Sequence, residues 1–264
     1  MISLSDVAKS YGSASVLKNI SFNVSSGERV SILGPGGCGK STILKLLLGL
    51  EKPSLGAIQL LDRDMVEASE TEKQATLRNV GMAFQQGALF DYMTVNQNIR
   101  FAMEHMTEAS NDEMEASIDD LLLSLKLPRT KHMFPYELSG GMKRRIGIAR
   151  ALSTQPKVAI FDEPTSGLDP VTSTIILNMI KELGQEDPSR SLVISTTSVE
   201  IAIRFADRVI LIKDGEVVSD GDWRDAILNG SDWVRNFLSV RLIGIDIAYA
   251  KELGLPEEFI AKHW

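Results

Sequence analysis

The chain has 264 residues, 44% of them hydrophobic, with one cysteine and a formal net charge of −7. That length suits one large domain or a domain with a subdomain, and the apolar share supplies a real core. The acidic balance argues against broad nucleic-acid binding, the single cysteine excludes an intrachain disulfide framework, and no run approaches the roughly 18 apolar residues of a membrane span. Met1 to Asp6 shows no basic stretch leading into an apolar one, so no signal peptide is expected.

In chain order, Val7 to Val24 reads as short strands and turns. Ser21-Phe22-Asn23-Val24 alternates polar and apolar, and Ser25-Ser26-Gly27 makes a turn. Arg29 to Leu33 is a short apolar strand. It leads into Gly34-Pro35-Gly36-Gly37-Cys38-Gly39-Lys40-Ser41-Thr42, which fits the phosphate-loop pattern G-x-x-x-x-G-K-[ST]. Glycines let the backbone turn its N–H groups onto an anion, and the lysine and hydroxyl suit β/γ-phosphates and Mg²⁺. Ile43, Leu44, Leu46, Leu47 and Leu48 give an apolar helix behind the loop, completing a strand–loop–helix anion site.

Leu55 to Leu61 reads as a further strand, and Val80 to Phe84 as another that ends at Gln85. Residues 94 to 154 become mostly helical. Ser110 and Glu113 have capping-box spacing, and Met114, Ile118, Leu121, Leu122 and Leu125 fall on one helical face. Pro128 closes that segment, and a helix from about Gly140 to Leu152 is expected behind Ser139 as N-cap. Val158 to Phe161 has the continuous apolar character of a buried parallel strand, as do Leu192 to Ile194 and Val209 to Ile212. Asp162 and Glu163 end the first of these. The aspartate suits Mg²⁺ and the glutamate suits polarising an attacking water. Strands alternating with helices imply a parallel α/β core.

The glycine loop, Gln85, Leu138-Ser139-Gly140-Gly141-Met142, the acid pair and Ser166-Gly167-Leu168-Asp169 occur in that order. The series resembles the nucleotide-binding ATPase subunit of ABC transporters over residues 1–222. The resemblance implies an α/β fold of the P-loop NTPase (RecA-like) kind. Residues 1–85 and 155–222 would form the ATP-binding parallel-sheet core with an N-terminal antiparallel β subdomain. An inserted helical signature subdomain would span 86–154, and 223–264 would be an appendage for dimer or partner contact. ATP and Mg²⁺ are the implied ligands. Tyr11 would stack on adenine, the run Gly34 to Thr42 would cradle the phosphates, and Ser41, Gln85 and Asp162 would hold the metal. Glu163 and Gln85 would act at the attacking water, with Gln86 the neighbouring alternative to Gln85. Ser139, Gly140 and Gly141 would bind the γ-phosphate of ATP held by a second copy, and Asp169 would couple the two sites. A homodimer, membrane permease subunits and a peripheral place on the cytoplasmic face of the inner membrane follow from the resemblance.

One position departs from the family. Where a histidine usually clamps the γ-phosphate, Glu200 and Ala206-Asp207-Arg208 as anchors place Thr197. His105, His132 and His263 lie elsewhere, so turnover is expected to be reduced. Phe84-Gln85-Gln86-Gly87-Ala88-Leu89-Phe90, with Met93-Thr94-Val95, Asn98 and Met142-Lys143-Arg144-Arg145, resembles ATPases of bacterial Mla and Mce lipid-transport systems. That implies lipid cargo, an Mce-type lipid-binding protein and a small cytoplasmic regulatory subunit. An amino-acid or metal importer, and a weakly hydrolysing nucleotide switch, are the alternatives. Phe90, Tyr92 and Met93 either face the permease or pack within the helical subdomain. Lys143, Arg144 and Arg145 read as a solvated helix face rather than a lipid-headgroup patch. In the appendage, Trp233, Val234, Phe237 and Leu238 share a helical face, and Leu242, Ile243, Ile245 and Ile247 are too apolar for a free tail. They need burial on the chain's own core, on a second subunit or on a regulatory partner.

Overall fold

The computed structural model describes every residue except 86, 186, 241, 243, 244 and 264, and only the backbone of 183 and 185. Gln86 and Ile243, both singled out above, lie outside the described residues. The N-terminal stretch forms two long strands, β1 (Ile2–Tyr11) and β2 (Ala14–Val24), rather than several short ones. Gly12, at φ 58°, supplies the left-handed turn between them. The next strand, β3 (Arg29–Leu33), runs straight into the glycine loop, and α1 (Lys40–Leu47) leaves it. Then come β4 (Leu55–Leu60), β5 (Arg63–Asp64), α2 (Glu70–Leu77) and β6 (Val80–Ala83).

The helical segment holds α3 (Val95–Met106), α4 (Asn111–Ser124) and α5 (Gly140–Leu152). The chain returns through β7 (Val158–Asp162), α6 (Pro170–Gln185), β8 (Ser191–Thr196), α7 (Val199–Phe205), β9 (Arg208–Lys213) and β10 (Glu216–Gly221). Four short helices end it: α8 (Trp223–Asn229), α9 (Asp232–Ser239), α10 (Ile247–Glu252) and α11 (Glu257–His263).

The described strands order as β5-β4-β1-β2-β10-β9-β3-β8-β7-β6. From β9 to β6 every pairing is parallel, whereas β5, β4, β1 and β2 pair antiparallel. The junction is thin: β10 meets β2 at the single parallel pair Glu216 and Asn19. α1 fills the angle. Its Ile43, Leu44, Leu46 and Leu47 are buried among β1, β2 and β4 residues on one side and Val30, Ile160, Val193 and Ile210 on the other. The parallel strands are covered on both faces, which explains their unbroken apolar runs. The consequence for the site is positional: β3, β7 and β8 all end at the same edge, beside the N-terminus of α1.

α2, α3 and α4 each begin with a capping box, from Ser69 and Glu72, Thr94 and Gln97, and Ser110 and Glu113. Val95, Ile99, Ile118, Leu122 and Ile146 are fully buried between α3, α4 and α5. At their rim, Glu115 meets Lys131 Nζ at 2.8 Å, Arg100 Nη1 at 2.8 Å and Asn96 Nδ2 at 3.0 Å. Lys131 and Asn96, in that order, pull its carboxyl down to about 2. A depressed carboxyl stabilises the fold above its unfolded value and loses that contribution as pH falls toward the folded one. Glu115→Gln is therefore expected to cost about 1 kcal/mol at neutral pH, after discounting for solvent screening at this partly exposed side chain. It should also flatten the stability profile between about pH 4.5 and pH 2, read by urea titration across that range. An unchanged profile there would remove Glu115 from the acid transition.

The appendage buries itself on its own chain. Trp223, Val234, Leu238, Leu242, Ala250 and Phe259 pack with Leu33, Val199, Ile203 and Leu211. Trp233 and Phe237 stack at 4.9 Å, with Lys213 Nζ 4.7 Å above the indole. Tyr249 Oη donates to Glu200 and accepts from Arg204 Nη1 at 3.0 Å, tying α10 to α7. Leu242 is buried there and Ile245 packs against the same cluster, whereas Ile247 stays exposed. No helix among the described residues is long and apolar enough to cross a membrane.

Candidate active site

The glycine loop is built by close approach as well as by turn geometry. A Cβ on Gly34 would stand 2.3 Å from Ile212 O, and one on Gly39, at φ 108°, would stand 2.4 Å from Leu17 Cδ2. Gly36 and Gly37 differ: a Cβ there would meet nothing within 4 Å, so this part of the loop faces open space. Cys38 is buried inside the turn, and burial pushes its thiol up. Lys40 is buried. Its Nζ donates to Gly34 O at 2.9 Å and Pro35 O at 3.0 Å, and stands 3.9 Å from Glu163 Oε1. Ser41 and Thr42 open α1 beside it.

Three strand ends converge on this loop. Ser41 Oγ donates to Asp162 Oδ2 at 3.3 Å, and Ser195 Oγ donates to Asp162 Oδ1. Glu163 follows immediately, at φ 46°, a left-handed conformation that costs a non-glycine residue energy and is typical of functional positions. Its N–H donates to Ser195 O at 3.0 Å, which fixes the carboxylate toward Lys40. Burial pushes the Glu163 carboxyl up, and Lys40 opposes that, with the Thr197 backbone and the Thr196 hydroxyl. Thr197 is exposed at the end of β8, next to Ser198, which caps α7. A cavity of about 320 Å³ opens here, lined by Glu163, Ser166, Leu168, Thr197, Ser198 and Arg204 among others.

Gln85 is exposed, and its Nε2 lies 3.5 Å from Ser166 Oγ. Tyr11 is 45% exposed, with Lys9 Nζ 4.9 Å from its ring centroid. Its hydroxyl donates to Glu51, which also pairs with Lys9 at 3.3 Å and Lys45 at 3.5 Å. The Glu51 bond raises the phenol's pKa.

Ser139, Gly140 and Gly141 stand apart. Ser139 Oγ caps α5 through the Met142 N–H at 3.3 Å. A Cβ on Gly140 would meet nothing within 4 Å. No hydrogen bond or ion pair among the described residues joins this segment to residues 34–42. Asp169 is exposed, and its Oδ1 accepts from the Thr172 N–H at 2.9 Å; the Thr172 hydroxyl first, and then that N–H, hold its carboxyl low.

The expected solvated face on α5 needs correction. Arg144 Nη1 donates to Ser166 O, and Arg145 donates to Leu125 O at 3.1 Å and Gly141 O at 3.4 Å. Burial lowers both guanidinium pKa values, so these cations serve the inside of the fold. Tyr92 is 74% exposed, whereas Phe90 packs edge-on against Phe101 at 5.2 Å. Sequence reasoning did not anticipate Ser195, Ser166, Arg144 or Glu51. Ser166 carried a signal as part of the Ser166 to Asp169 motif; Ser195, Arg144 and Glu51 carry none beyond being polar, which many residues share.

The residues present suit a nucleotide with Mg²⁺. Gly36 and Gly37 face open space at a helix N-terminus, where backbone N–H groups can take phosphate oxygens. One carboxylate, Asp162, and one hydroxyl, Ser41, stand together, and no cluster of three or more His, Cys, Asp or Glu ligands occurs among the described residues. That is the sparse donor set of a Mg²⁺ completed by phosphates and water.

A family model described as "ABC transporter" matches residues 17–166. The arginine transport ATP-binding protein ArtM of Bacillus subtilis is 38% identical over 87% of this chain and 94% of its own. Glutamine and methionine transport ATP-binding proteins also match. The chloroplastic protein TRIGALACTOSYLDIACYLGLYCEROL 3 of Arabidopsis thaliana is 32% identical over 92% of this chain and 75% of its own. Among solved structures, the dimeric bacterial ABC transporter cassette MJ0796 is 33% identical, with a TM-score of 0.78 over 84% of this chain and 98% of that one. Amino-acid transport ATPases stand first among these relatives, which favours the amino-acid-importer alternative over the Mla/Mce resemblance and leaves the Mce-type partner without support. The motif order, the fold and these relatives agree that the chain belongs to the ABC transporter family, as an ATP-binding subunit and ATP hydrolase.

Proposed function

We propose that the chain hydrolyses ATP in pairs, at two sites each shared between copies, to drive a membrane permease that imports a small polar solute of the amino-acid class. The observation that carries the shared site is the separation of the signature from the glycine loop. Ser139 to Gly141 presents helix N–H groups to no anion-binding residue of its own chain, and Gly140 has room for a side chain it does not carry. Tyr11 stacks adenine, the run Gly34 to Thr42 with Lys40 takes the phosphates, and Ser139, Gly140 and Gly141 of the second copy close over the γ-phosphate. Asp169 meets the partner across the interface. Ser41, Asp162 and Gln85 would hold Mg²⁺, which would supply neutralisation of the charge that develops on the phosphates. Glu163 polarises the attacking water, with Gln85 orienting it. The test is solution mass: Glu163→Gln with ATP is expected to double in mass, and a chain that stays monomeric with ATP bound contradicts the reading.

The relatives' amino-acid cargoes support the importer reading. Lipid transport is carried as a second reading on one observation, that a relative named for a galactolipid is 32% identical over 92% of this chain. ATP-dependent uptake of labelled arginine, glutamine or methionine through the cognate permease, set against labelled phospholipid transfer, decides between them.

Thr197 is the reason we propose slow turnover. A threonine hydroxyl is shorter and uncharged, so one γ-phosphate donor is weakened. Thr197→His is expected to raise kcat, by up to about 10²-fold if that donor is the limiting one. Phosphate release at saturating ATP reads it, and unchanged turnover sinks the idea.

A further inference from the structure

The signature helix α5 is anchored to residues of its own chain's active site at two places. At the first, Gly147 packs on Gly87: a Cβ at 147 would stand 2.9 Å from Gly87 Cα, and Arg150 donates to Gly87 O at 3.0 Å and Ala88 O at 2.8 Å. This fixes the segment directly after Gln85. At the second, Arg144 Nη1 donates to the carbonyl of Ser166. Ser166 is a junction. Its N–H donates to Glu163 O at 3.2 Å, and its hydroxyl lies 3.5 Å from Gln85 Nε2. Leu168 N–H closes the turn onto Thr165 O at 3.2 Å, and Asp169 follows.

The Arg144 contact is unusual in its cost. Its Nε is buried without a hydrogen-bond partner, one of two such side-chain atoms among the described residues. A buried unpaired donor costs about 1–3 kcal/mol, so burial of this guanidinium is not explained by stability alone. The Glu163 charge acts on it in the opposite sense to burial, which places the two groups within each other's field.

We propose that Arg144 is a positioning residue for ATP hydrolysis, carrying the position of the signature helix to the Glu163–Asp169 turn of the same chain. Closure of Ser139 to Gly141 on the second copy's nucleotide moves α5 as a unit. Arg144 then draws the Ser166 carbonyl with it and seats Glu163 and Asp169. The inference rests on the two-copy reading above. Arginine suits this role because its planar fork fixes direction as well as charge, which lysine does not.

The test compares the unsubstituted chain with Arg144→Gln and Arg144→Lys. ATP affinity is measured on monomers with the metal chelated, and kcat, KM and the Hill coefficient are measured on the dimerising protein. Arg144→Gln is expected to keep monomer affinity and KM within about twofold while kcat falls about 10- to 100-fold, as for a reacting geometry displaced by an ångström. The Hill coefficient should fall from about 2 toward 1 as the sites uncouple. Arg144→Lys should recover only part of kcat. A merely structural role would lower the melting temperature and leave kcat per folded molecule and the Hill coefficient in place, which overturns the proposal. Should the glutamine variant fail to fold, the lysine variant decides: full kcat and cooperativity overturn the proposal, and loss of both supports it. An unsubstituted chain that never dimerises with ATP overturns the two-copy reading itself, and this inference with it.

Discussion

Glu163→Gln is expected to cut kcat by about 10³-fold while ATP binding survives. The carboxylate ends β7 beside Asp162, in a left-handed backbone conformation, 3.9 Å from Lys40 Nζ. Burial raises its affinity for a proton, and Lys40, the Thr197 backbone and the Thr196 hydroxyl offset only part of that rise, which suits a general base. Glutamine keeps the shape and the strained backbone yet cannot accept a proton. It leaves Ser41, Asp162 and the glycine loop in place and removes only a long 3.9 Å ion pair from Lys40, whose loop bonds remain, so nucleotide affinity has no reason to fall. Single-turnover hydrolysis and equilibrium nucleotide binding, measured side by side, separate the two quantities. Equal losses in both would assign Glu163 to binding instead.

Lys40→Ala is expected to act on the other quantity. The ammonium is buried, held by two loop carbonyls at 2.9 and 3.0 Å, and directed at the edge where β3, β7 and β8 end. Removing one member of a buried, hydrogen-bonded charge pair costs about 2–5 kcal/mol, or roughly 30- to 5,000-fold in Kd for the nucleotide. Losing its bonds to Gly34 and Pro35 costs the fold only about 1 kcal/mol each. Fluorescent-nucleotide titration, with a melting curve on the same sample, checks both. Wild-type affinity in a folded Lys40→Ala chain would place the phosphates elsewhere.

The two substitutions divide the site into parts that differed in how visible they were in the sequence. The glycine loop was legible because its chemistry is local: strand, turn and helix run without a break from Arg29 to Leu47, Gly34 and Gly39 have a nearby steric reason, and Gly36 and Gly37 face open space. The parallel strands were legible because burial on both faces writes an unbroken apolar run. β10 was not. Glu216 to Gly221 alternates around two valines and is only half-buried, so its place at the seam between antiparallel and parallel strands depends on β9 and β2. α2 escaped for the same reason, with only Lys73 and Thr76 buried.

The side chains around the acid pair were the least visible. Ser195 reaches Asp162 only because β7 and β8 are in register, Asp162 opposite Ser195. Arg144 looked like one of three surface cations until the turn at Ser166 was seen beneath it. The appendage was legible as apolar, but which surface covers it is a tertiary fact: Leu33, Val199 and Leu211 of the parallel core. Thr197 was legible as a departure, and its exposure beside Glu163 at the cavity mouth makes the substitution by histidine a direct chemical test.

The central claim is that each ATP site takes its glycine loop from one copy and its signature from another. Complementation measures this most directly. Lys40→Ala disables the loop, and Gly141→Asp disables the signature by placing a carboxylate where the γ-phosphate would sit. Each variant alone should be inactive. In a mixed dimer one site carries both defects and the other carries none, so hydrolysis should appear on mixing, as phosphate release that rises with the product of the two concentrations. Mixtures that stay as inactive as their components, while the mixed dimer is seen to form, would contradict a shared site and return the whole reaction to a single chain.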